Sequence, residues 1–386
     1  MLAFFKSLLK PQLEPMNTIY LHKKALLSNL EYLKSLHPQS EIFPILKSNA
    51  YGHGIQQILT MLKGVKVPYI IVDSFPEYQI IHAQSKHSIL ILGETLPKNY
   101  SAFDFKRATF AVYNLETLHA LGKMKKKLKI HIFLNTGMNR EGVQTSLLLN
   151  FLETLKAYPR IEVDGVMSHL HSANSIINDG MNEQIDLFKQ MHTQILQYGH
   201  APKRRHIGSS AGLLKMQDDF FNARRPGITM YGYNPLNPAD KKFDIGANLT
   251  PILSLSSTVV SLQKIDNNQG VGYSQQRKKS DNDPENTEKF MTIATIPFGY
   301  FEGLPRILRE KISFRRNGKE CQQIGSICMN LCSFIGEPEM LIGDKIWIVE
   351  SDKNSVCSIQ NLSDKAETIP YEILVGLERG IRREIV

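Results

Sequence analysis

Between Ile19 and Tyr233, short runs rich in β-branched and aromatic residues alternate with helical apolar patterns, and this alternation limits the possible folds more than any other feature. The strand candidates are 42–46, 69–73, 88–92, 109–113, 129–135, 163–169, 204–207 and 224–231. Leu26, Leu30 and Leu33 mark a helical face before the first, and Ile185, Phe188, Ile195 and Leu196 another before the seventh. Eight strands separated by helices predict an α/β fold, a (β/α)8 TIM-like barrel rather than an open sheet. After Asn248 the helical period fades. Close-spaced candidates at 252–262, 290–296, 311–314, 323–328 and 345–349, with turn signals at Asn267-Asn268 and Asn317-Gly318, predict a smaller, mostly β domain. The polar stretch 274–289 is expected to be an exposed loop. The division is therefore an extension at 1–16, a barrel at 17–245 and a β domain at 246–386.

Composition excludes several function classes. The 46 Lys+Arg against 37 Asp+Glu give a net charge of +9. Yet the cations sit in short scattered groups such as Lys125, Lys126, Lys127 and Arg382, Arg383 without interleaved aromatics, so they read as solvated surface and predict no nucleic-acid partner. No run approaches the ~18 apolar residues of a membrane span. Four cysteines, Cys321, Cys328, Cys332 and Cys357, are too few for a secreted disulfide framework and fit a cytoplasmic protein. The Cys328/Cys332 spacing lacks neighbours to complete a tetrahedral set, so no metal is expected. The opening MLAFFKSLLKP is a poor signal peptide and reads as a dispensable extension, or as residues upstream of a start at Met16.

Chemistry on such a barrel gathers at the C-terminal ends of the strands. The first strand candidate runs into Lys47-Ser48-Asn49-Ala50-Tyr51-Gly52-His53-Gly54. A lysine leaving an apolar strand faces a partly desolvated site, where the ammonium is disfavoured and the amine can react with a carbonyl. By itself the same lysine also reads as a solvated cap, and Ser209-Ser210 as a simple helix cap.

The whole run ILKSNAYGHG resembles the pyridoxal-phosphate lysine motif of the alanine racemase family. The likeness recurs in NTGMNREGV (135–143), VMSHL (166–170), RRPGITMYG (224–232), VGYS (271–274), PFGYFEG (297–303), GSICMN (325–330) and IPYE (369–372), all in the family's order. It covers roughly 17–383. The resemblance implies that Lys47 holds pyridoxal 5'-phosphate covalently and serves as one base beside the substrate Cα, with Tyr273 as the base on the opposite face. A free tyrosine has a pKa of ~10, so a phenolate at neutral pH implies a lowering by ~3, or about 4 kcal/mol. His169 matches the histidine that hydrogen-bonds this tyrosine beside the cofactor, and Arg140 an arginine near the ring and substrate. Arg225 matches the arginine facing the pyridine nitrogen. A guanidinium keeps its proton there, which leaves the ring nitrogen unprotonated and weakens the electron sink. Tyr51, Ser210, Gly227, Ile228 and Tyr371 match the phosphate-binding groups. The resemblance further implies a homodimer with shared active sites, in which Tyr273, Tyr300, Met329 and Asn330 reach the other subunit's barrel and Tyr300 lies near the substrate entrance. The implied reaction interconverts L- and D-alanine, supplying D-alanine for peptidoglycan.

Three positions depart from the family pattern. Phe133 stands where many members have a lysine, often carbamylated. Asn135 replaces a frequent aspartate and Asn330 another. A bound anion such as chloride, or hydrogen bonding through Asn135, is expected to orient Arg140 instead. The altered site leaves open a racemase of another small amino acid such as serine, or a catalytically weak pyridoxal-phosphate-binding homologue. His169-Leu170-His171 also resembles the HxH pair of metal-dependent hydrolases, but successive strand residues point to opposite faces. Barrel proteins that merely carry pyridoxal phosphate lack a β domain, so Tyr273 favours catalysis.

Overall fold

The β/α repeat dictates parallel pairing, and the computed structural model shows it over the described residues, 13–176, 180–273 and 289–386. The run 1–11 and all of 274–289 except Lys289 lie outside them. Strand β1 (Thr18–Leu21) precedes the repeat. The repeat itself holds β2 (Glu41–Ile42), β3 (Ile70–Val72), β4 (Ile89–Ile91), β5 (Ala108–Val112), β6 (Leu128–Phe133), β7 (Ile161–Met167), β8 (Arg204–His206) and β9 (Ala223–Arg224). Strands β3 to β8 form one parallel sheet in chain order, and β9 pairs in parallel with β2. Ile45 bridges Ile71 and so carries β2 onto β3. The Asn222 side chain, just before β9, accepts from Arg205 N at 2.8 Å and donates to Lys203 O at 2.8 Å, which ties β9 to β8. The result is a (β/α)8 barrel.

Burial explains the pattern. All residues of β3 and β4 are buried, as in a parallel sheet covered on both faces. Helix Lys23–Leu36 buries Leu26, Leu30 and Leu33 together with Asn29, whose amide bonds Met230 O, Thr250 O and Thr250 N. Helix Met181–Gln197 buries Ile185, Phe188 and Ile195, whereas Leu196 faces outward. Several strand candidates end early, the first already after Ile42. Only Ala223–Arg224 of the eighth is strand, because Pro226 brings no ladder N–H; Ile228–Tyr231 forms a 3-10 turn instead. The sixth stops at Met167, since the Ser168 carbonyl accepts from Arg225.

The chain divides into two units, His22–Ile252 and a second that combines the chain up to Leu21 with Leu253–Glu384. The sequence reading puts 17–21 in the barrel. In β1, however, Ile19 and Leu21 are wholly buried and Tyr20 is not, a period of two that suits a sheet, and β1 pairs antiparallel with β10 (Leu253–Thr258) of the second unit. The other strands of that unit are β11 (Ser261–Asp266), β12 (Phe290–Ile296), β13 (Ser313–Arg316), β14 (Lys319–Ile324), β15 (Cys332–Gly336), β16 (Lys345–Val349) and β17 (Arg382–Ile385). Their order is β11-β12-β15-β14-β13-β16-β10-β1-β17. The single strand expected at 252–262 breaks in two because Val259 N donates to Asp344 O while Val260 N donates to Thr295 O, so adjacent residues join different neighbours. Asn317 and Gly318, at φ 48° and 83°, make the tight hairpin between β13 and β14. Helices Ile359–Lys365 and Pro370–Gly376 are too short to show a period in the sequence.

The N-terminal half of the barrel interior is polar. Asp164, on β7, accepts from Tyr69 Oη at 2.8 Å, His131 Nε2 at 3.3 Å and Arg204 Nη1 at 2.6 Å. Burial alone would raise its pKa, but hydrogen bonds from His131 and Tyr69 and the charge of Arg204 prevail and hold the carboxyl far below the usual carboxylate range. Its contribution to stability is therefore fully present above the ordinary carboxylate pKa and is lost only on strong acidification. Asp164→Asn is expected to destabilise the protein by about 3 kcal/mol at neutral pH, because it leaves a half-buried guanidinium short of a partner. Urea unfolding checks this, and a loss below about 1 kcal/mol would assign the network little weight.

Candidate active site

The C-terminal ends of the barrel strands gather the reactive residues of this unit. Lys47 lies five residues past β2, and the four residues after it, Ser48, Asn49, Ala50 and Tyr51, are all left-handed, at φ 54°, 54°, 53° and 54°. Each such conformation costs roughly 1–2 kcal/mol in a residue with a Cβ, so the turn persists because its surroundings hold it. Ala50 N donates to Leu46 O at 2.8 Å and Gly52 N to Ser48 O at 3.0 Å. Asn49 N donates to Glu77 Oε1 at 3.3 Å, and the other oxygen of Glu77 accepts from Asp73 N at 3.0 Å. Glu77 thus joins the lysine turn to the end of β3. Lys47 Nζ stands 3.6 Å from Asp73 Oδ1.

Across the barrel end, Gly227 N at 2.9 Å, Thr229 N at 3.3 Å and Thr229 Oγ1 at 3.1 Å converge on Ser210 Oγ. Ile228 opens the 3-10 turn that aligns them. Tyr51 closes the side: a Cβ at Gly227 would lie 2.4 Å from Tyr51 Oη, so only glycine permits the approach. Convergent amides and hydroxyls of this kind form a cradle suited to a phosphate.

Arg225, next to β9, is fully buried. Its Nη2 donates to Ser168 O at 2.5 Å and Ile207 O at 2.9 Å, while its Nε has no hydrogen-bond partner among the described residues. Burial pushes its pKa down to about 10, which leaves it cationic at neutral pH. Beneath it runs a chain of buried rings. Asp164 only accepts, so His131 Nε2 carries the hydrogen; His131 is neutral through burial, so its Nδ1 accepts from His206 Nε2 at 2.8 Å. That assignment leaves His206 Nδ1 as a buried acceptor without a partner among the described residues.

His169 emerges past β7. Burial first, then the charges of Arg225, Arg140 and Lys47, push its pKa down to about 3, so the ring is neutral. Gln184 clamps this segment, donating to His169 O at 3.0 Å and accepting from His171 N at 3.0 Å. His171 is exposed and bonds Ser172 Oγ, so the two histidines of the HxH pair serve different surroundings. Among the described residues no group of three or more His, Cys, Asp or Glu is placed to hold a metal.

The departures have plain structural consequences. Phe133 lies in an apolar cluster with Ala111 and Met167, flanked by Leu92 and Tyr113. Asn135 does not reach for Arg140. Its Oδ1 accepts from Gly137 N at 3.0 Å and Asn139 N at 3.1 Å, holding the loop's own backbone, and Arg140 Nη2 pairs with Glu141 Oε2 at 3.2 Å on an exposed surface.

In the second unit three motif segments meet. Tyr300 N donates to Cys328 O at 3.0 Å, Phe301 N to Met329 O at 2.9 Å, and Ser326 Oγ to Tyr273 O at 3.2 Å. Gly299 is required there, since a Cβ would stand 2.2 Å from Cys328 O. Asn330 Nδ2 donates to Glu302 Oε1 at 2.8 Å, so the residue that departs from the family's aspartate is fixed by a neighbouring acid. Tyr273 is 74 % exposed and Met329 56 %. Ser274, last of its motif, is outside the described residues. Tyr371 starts helix Pro370–Gly376 of this unit, and burial pushes its hydroxyl up to about 12.

Two family models match in tandem: "Alanine racemase, N-terminal domain" over residues 21–235 and "Alanine racemase, C-terminal domain" over 252–385. The chain belongs to the alanine racemase family. It is 27 % identical over 375 residues to the alanine racemase of Clostridium novyi (strain NT), covering 93 % of this chain and 92 % of the relative. It is 28 % identical over 356 residues to that of Geobacter sp. (strain M21), covering 89 % and 91 %. The fold also matches the crystal structure of alanine racemase from Bartonella henselae with covalently bound pyridoxal phosphate, at a TM-score of 0.82 and 22 % identity, covering 97 % and 100 %. In this alanine racemase fold the sequence reading passed over Asp73, Glu77, Thr229 and Gln184. Asp73 closes the second barrel strand's candidate run and was open to the same strand-end rule that singles out Lys47. Thr229 sits inside the quoted RRPGITMYG. Nothing local marks Glu77 or Gln184.

Two outcomes follow from this geometry. Asn135→Ala removes the acceptor for two loop amides, so hydrogen exchange at Gly137 and Asn139 should quicken by about tenfold, with other barrel amides unchanged. Unchanged exchange would show that the loop is held otherwise. For His169, between about pH 6.5 and 3 the unfolded chain binds a proton that the folded chain does not, so stability falls on acidification through that window. His169→Gln should lessen the drop in urea midpoint between pH 7 and pH 4, and an unaltered drop would mean the folded histidine titrates normally.

Proposed function

We propose that this chain is a pyridoxal-phosphate-dependent amino-acid racemase that interconverts L- and D-alanine. The observation that carries the reading is the buried Nε of Arg225 without a partner, on the barrel end that also bears the Ser210–Gly227–Thr229 cradle and Lys47. A phosphate and a ring nitrogen together account for both features, so these residues fit the cofactor. When bound, pyridoxal phosphate supplies an electron sink that acidifies the substrate's Cα–H. Tyr51, Ser210, Gly227, Ile228 and Thr229 hold its phosphate, with Tyr371 as a further phosphate ligand, and Lys47 holds its carbonyl carbon.

The rest of the chemistry belongs to the chain. Arg225 keeps its proton, and its free Nε–H would be the donor to the ring nitrogen of the bound cofactor, a contact that would leave that nitrogen unprotonated and limit side reactions. Lys47 Nζ, positioned by Asp73, moves a proton at one face of Cα. Tyr273 of a second copy moves one at the other face, which inverts the centre. The neutral His169 hydrogen-bonds that tyrosine, and Arg140 steadies the substrate carboxylate beside Tyr300, Met329 and Asn330. Support for two copies comes from the second unit, where Tyr273, Tyr300, Phe301, Met329 and Leu331 are all exposed on segments that touch one another. Exposed apolar clusters of this sort mark interaction sites. No helix among the described residues is long and apolar enough to cross a membrane. Delivery of D-alanine for peptidoglycan in the cytoplasm is the role that fits.

Solvent deuterium exchange at Cα of L- and D-alanine tests the reading. Both enantiomers should exchange and invert. Lys47→Ala should abolish the reaction and the visible absorption of lysine-bound cofactor, and Tyr273→Phe should lower turnover by at least about a hundredfold while leaving that absorption in place. Mixing the two inactive variants should restore activity that neither has alone if the sites are shared. Cofactor binding without exchange of either alanine would overturn the substrate assignment in favour of serine or another small amino acid.

A further inference from the structure

The opposite end of the barrel carries a feature the proposed reaction does not use. At the N-terminal ends of β3 to β7 lies a cleft of about 540 Å³ lined by Tyr69, Phe105, Leu128, Lys106, Lys127, Lys129, Arg160 and Glu162 among others. Its apolar lining, Tyr69, Phe105, Ala108 and Leu128, is buried. Four cations face one carboxylate there, and Glu162 is already engaged by Lys203 at 3.3 Å. The charge of Lys106 acts on the neighbouring Asp104 carboxylate, Lys127 is exposed, and Arg160 Nη1 donates to the Lys125 carbonyl rather than to an acid. A fifth cation, Lys126, lies 5.5 Å from the centre of the Phe105 ring. Lys127, from the lysine run at 125–127 that the sequence offers only as solvated surface, therefore lines a concave cationic site.

We propose that this cleft binds a small organic polyanion. A single exposed ion pair contributes at most about 1 kcal/mol, so a monoanion would not be retained; a ligand bearing several charges engages several cations at once. The dry floor strengthens each of those attractions relative to open surface. The required chemistry is two or more negative charges on a compact frame, met by a di- or tricarboxylate or by a phosphorylated metabolite. Lys129 links the cleft to the interior, because its Nζ lies 3.4 Å from Asp164 Oδ1. An anion that draws on Lys129 therefore also acts on the Asp164–His131–His206 chain.

Calorimetric titration of protein saturated with pyridoxal phosphate, at low salt, tests the proposal, with citrate in one arm and pyrophosphate in the other. Saturable binding is expected, stronger for whichever polyanion matches the cleft, and weakened about tenfold by the double variant K106Q/K127Q and by raised salt. Arg160→Gln gives an independent second variant, read against the unfolding midpoint to confirm the fold. The absence of saturable binding in both arms, or equal affinity in K106Q/K127Q and Arg160→Gln, would overturn the site. Because binding rather than turnover is measured, failure here leaves the racemase reading untouched, and failure of alanine exchange leaves this one untouched.

Discussion

A guanidinium with no access to water sets the terms for the barrel. Arg225 reaches inward and, among the described residues, is solvated by the carbonyls of Ser168 and Ile207, the residues that follow β7 and β8. Taking a cation out of water is costly unless fixed dipoles replace the lost hydration. Both strands must end where they do for those carbonyls to be free, and β9 must break for Arg225 to turn in. The His206 and His131 rings below it remain neutral under the same burial, so two uncharged imidazoles lie between the Arg225 guanidinium and the Asp164 carboxylate, which Arg204 also meets.

The lysine turn shows a comparable balance. Four consecutive left-handed residues would not form in an isolated peptide, yet they bring Tyr51 against Gly227 and let Lys47 meet Asp73. Glu77 restrains the turn from outside it, and the Asn49 side chain ties it to the following helix by accepting from Ile55 N. Strain is held by contacts from a different strand end, which is how a rigid scaffold positions reactive groups on loops. Phe133 extends the same logic. An apolar cluster surrounds Phe133, and Arg140 lies at the surface, where its ionic partner among the described residues is its sequence neighbour Glu141.

Much of this was readable in the chain. The β/α alternation requires a parallel, doubly covered sheet, the strand-end rule singles out Lys47, His169 and Ser210, and the motif resemblance adds Arg140 and Arg225. The Asn317-Gly318 turn is dictated by its residues, since both positions need positive φ. The failures have a common cause. Residues 18–21 look like the start of the repeat but pair with β10, more than two hundred residues away. The edge strand Arg382–Ile385 is charged and shows no alternation. Val259 and Val260 look continuous, but their hydrogen bonds go to different neighbours.

The sequence by itself determined the period of the fold, the family and the identity of the residues at the strand ends, because periodicity and motif spacing are local and survive without coordinates. Only the tertiary structure decided the partners: Asp73 for Lys47, Glu77 for the strained turn, Gln184 for the His169 segment, the loop backbone for Asn135, and a concave cationic cleft lined by Lys127 of a plain lysine run. Those outcomes rest on distances between residues far apart in the chain and on which of their charges lose water. No local pattern encodes either quantity.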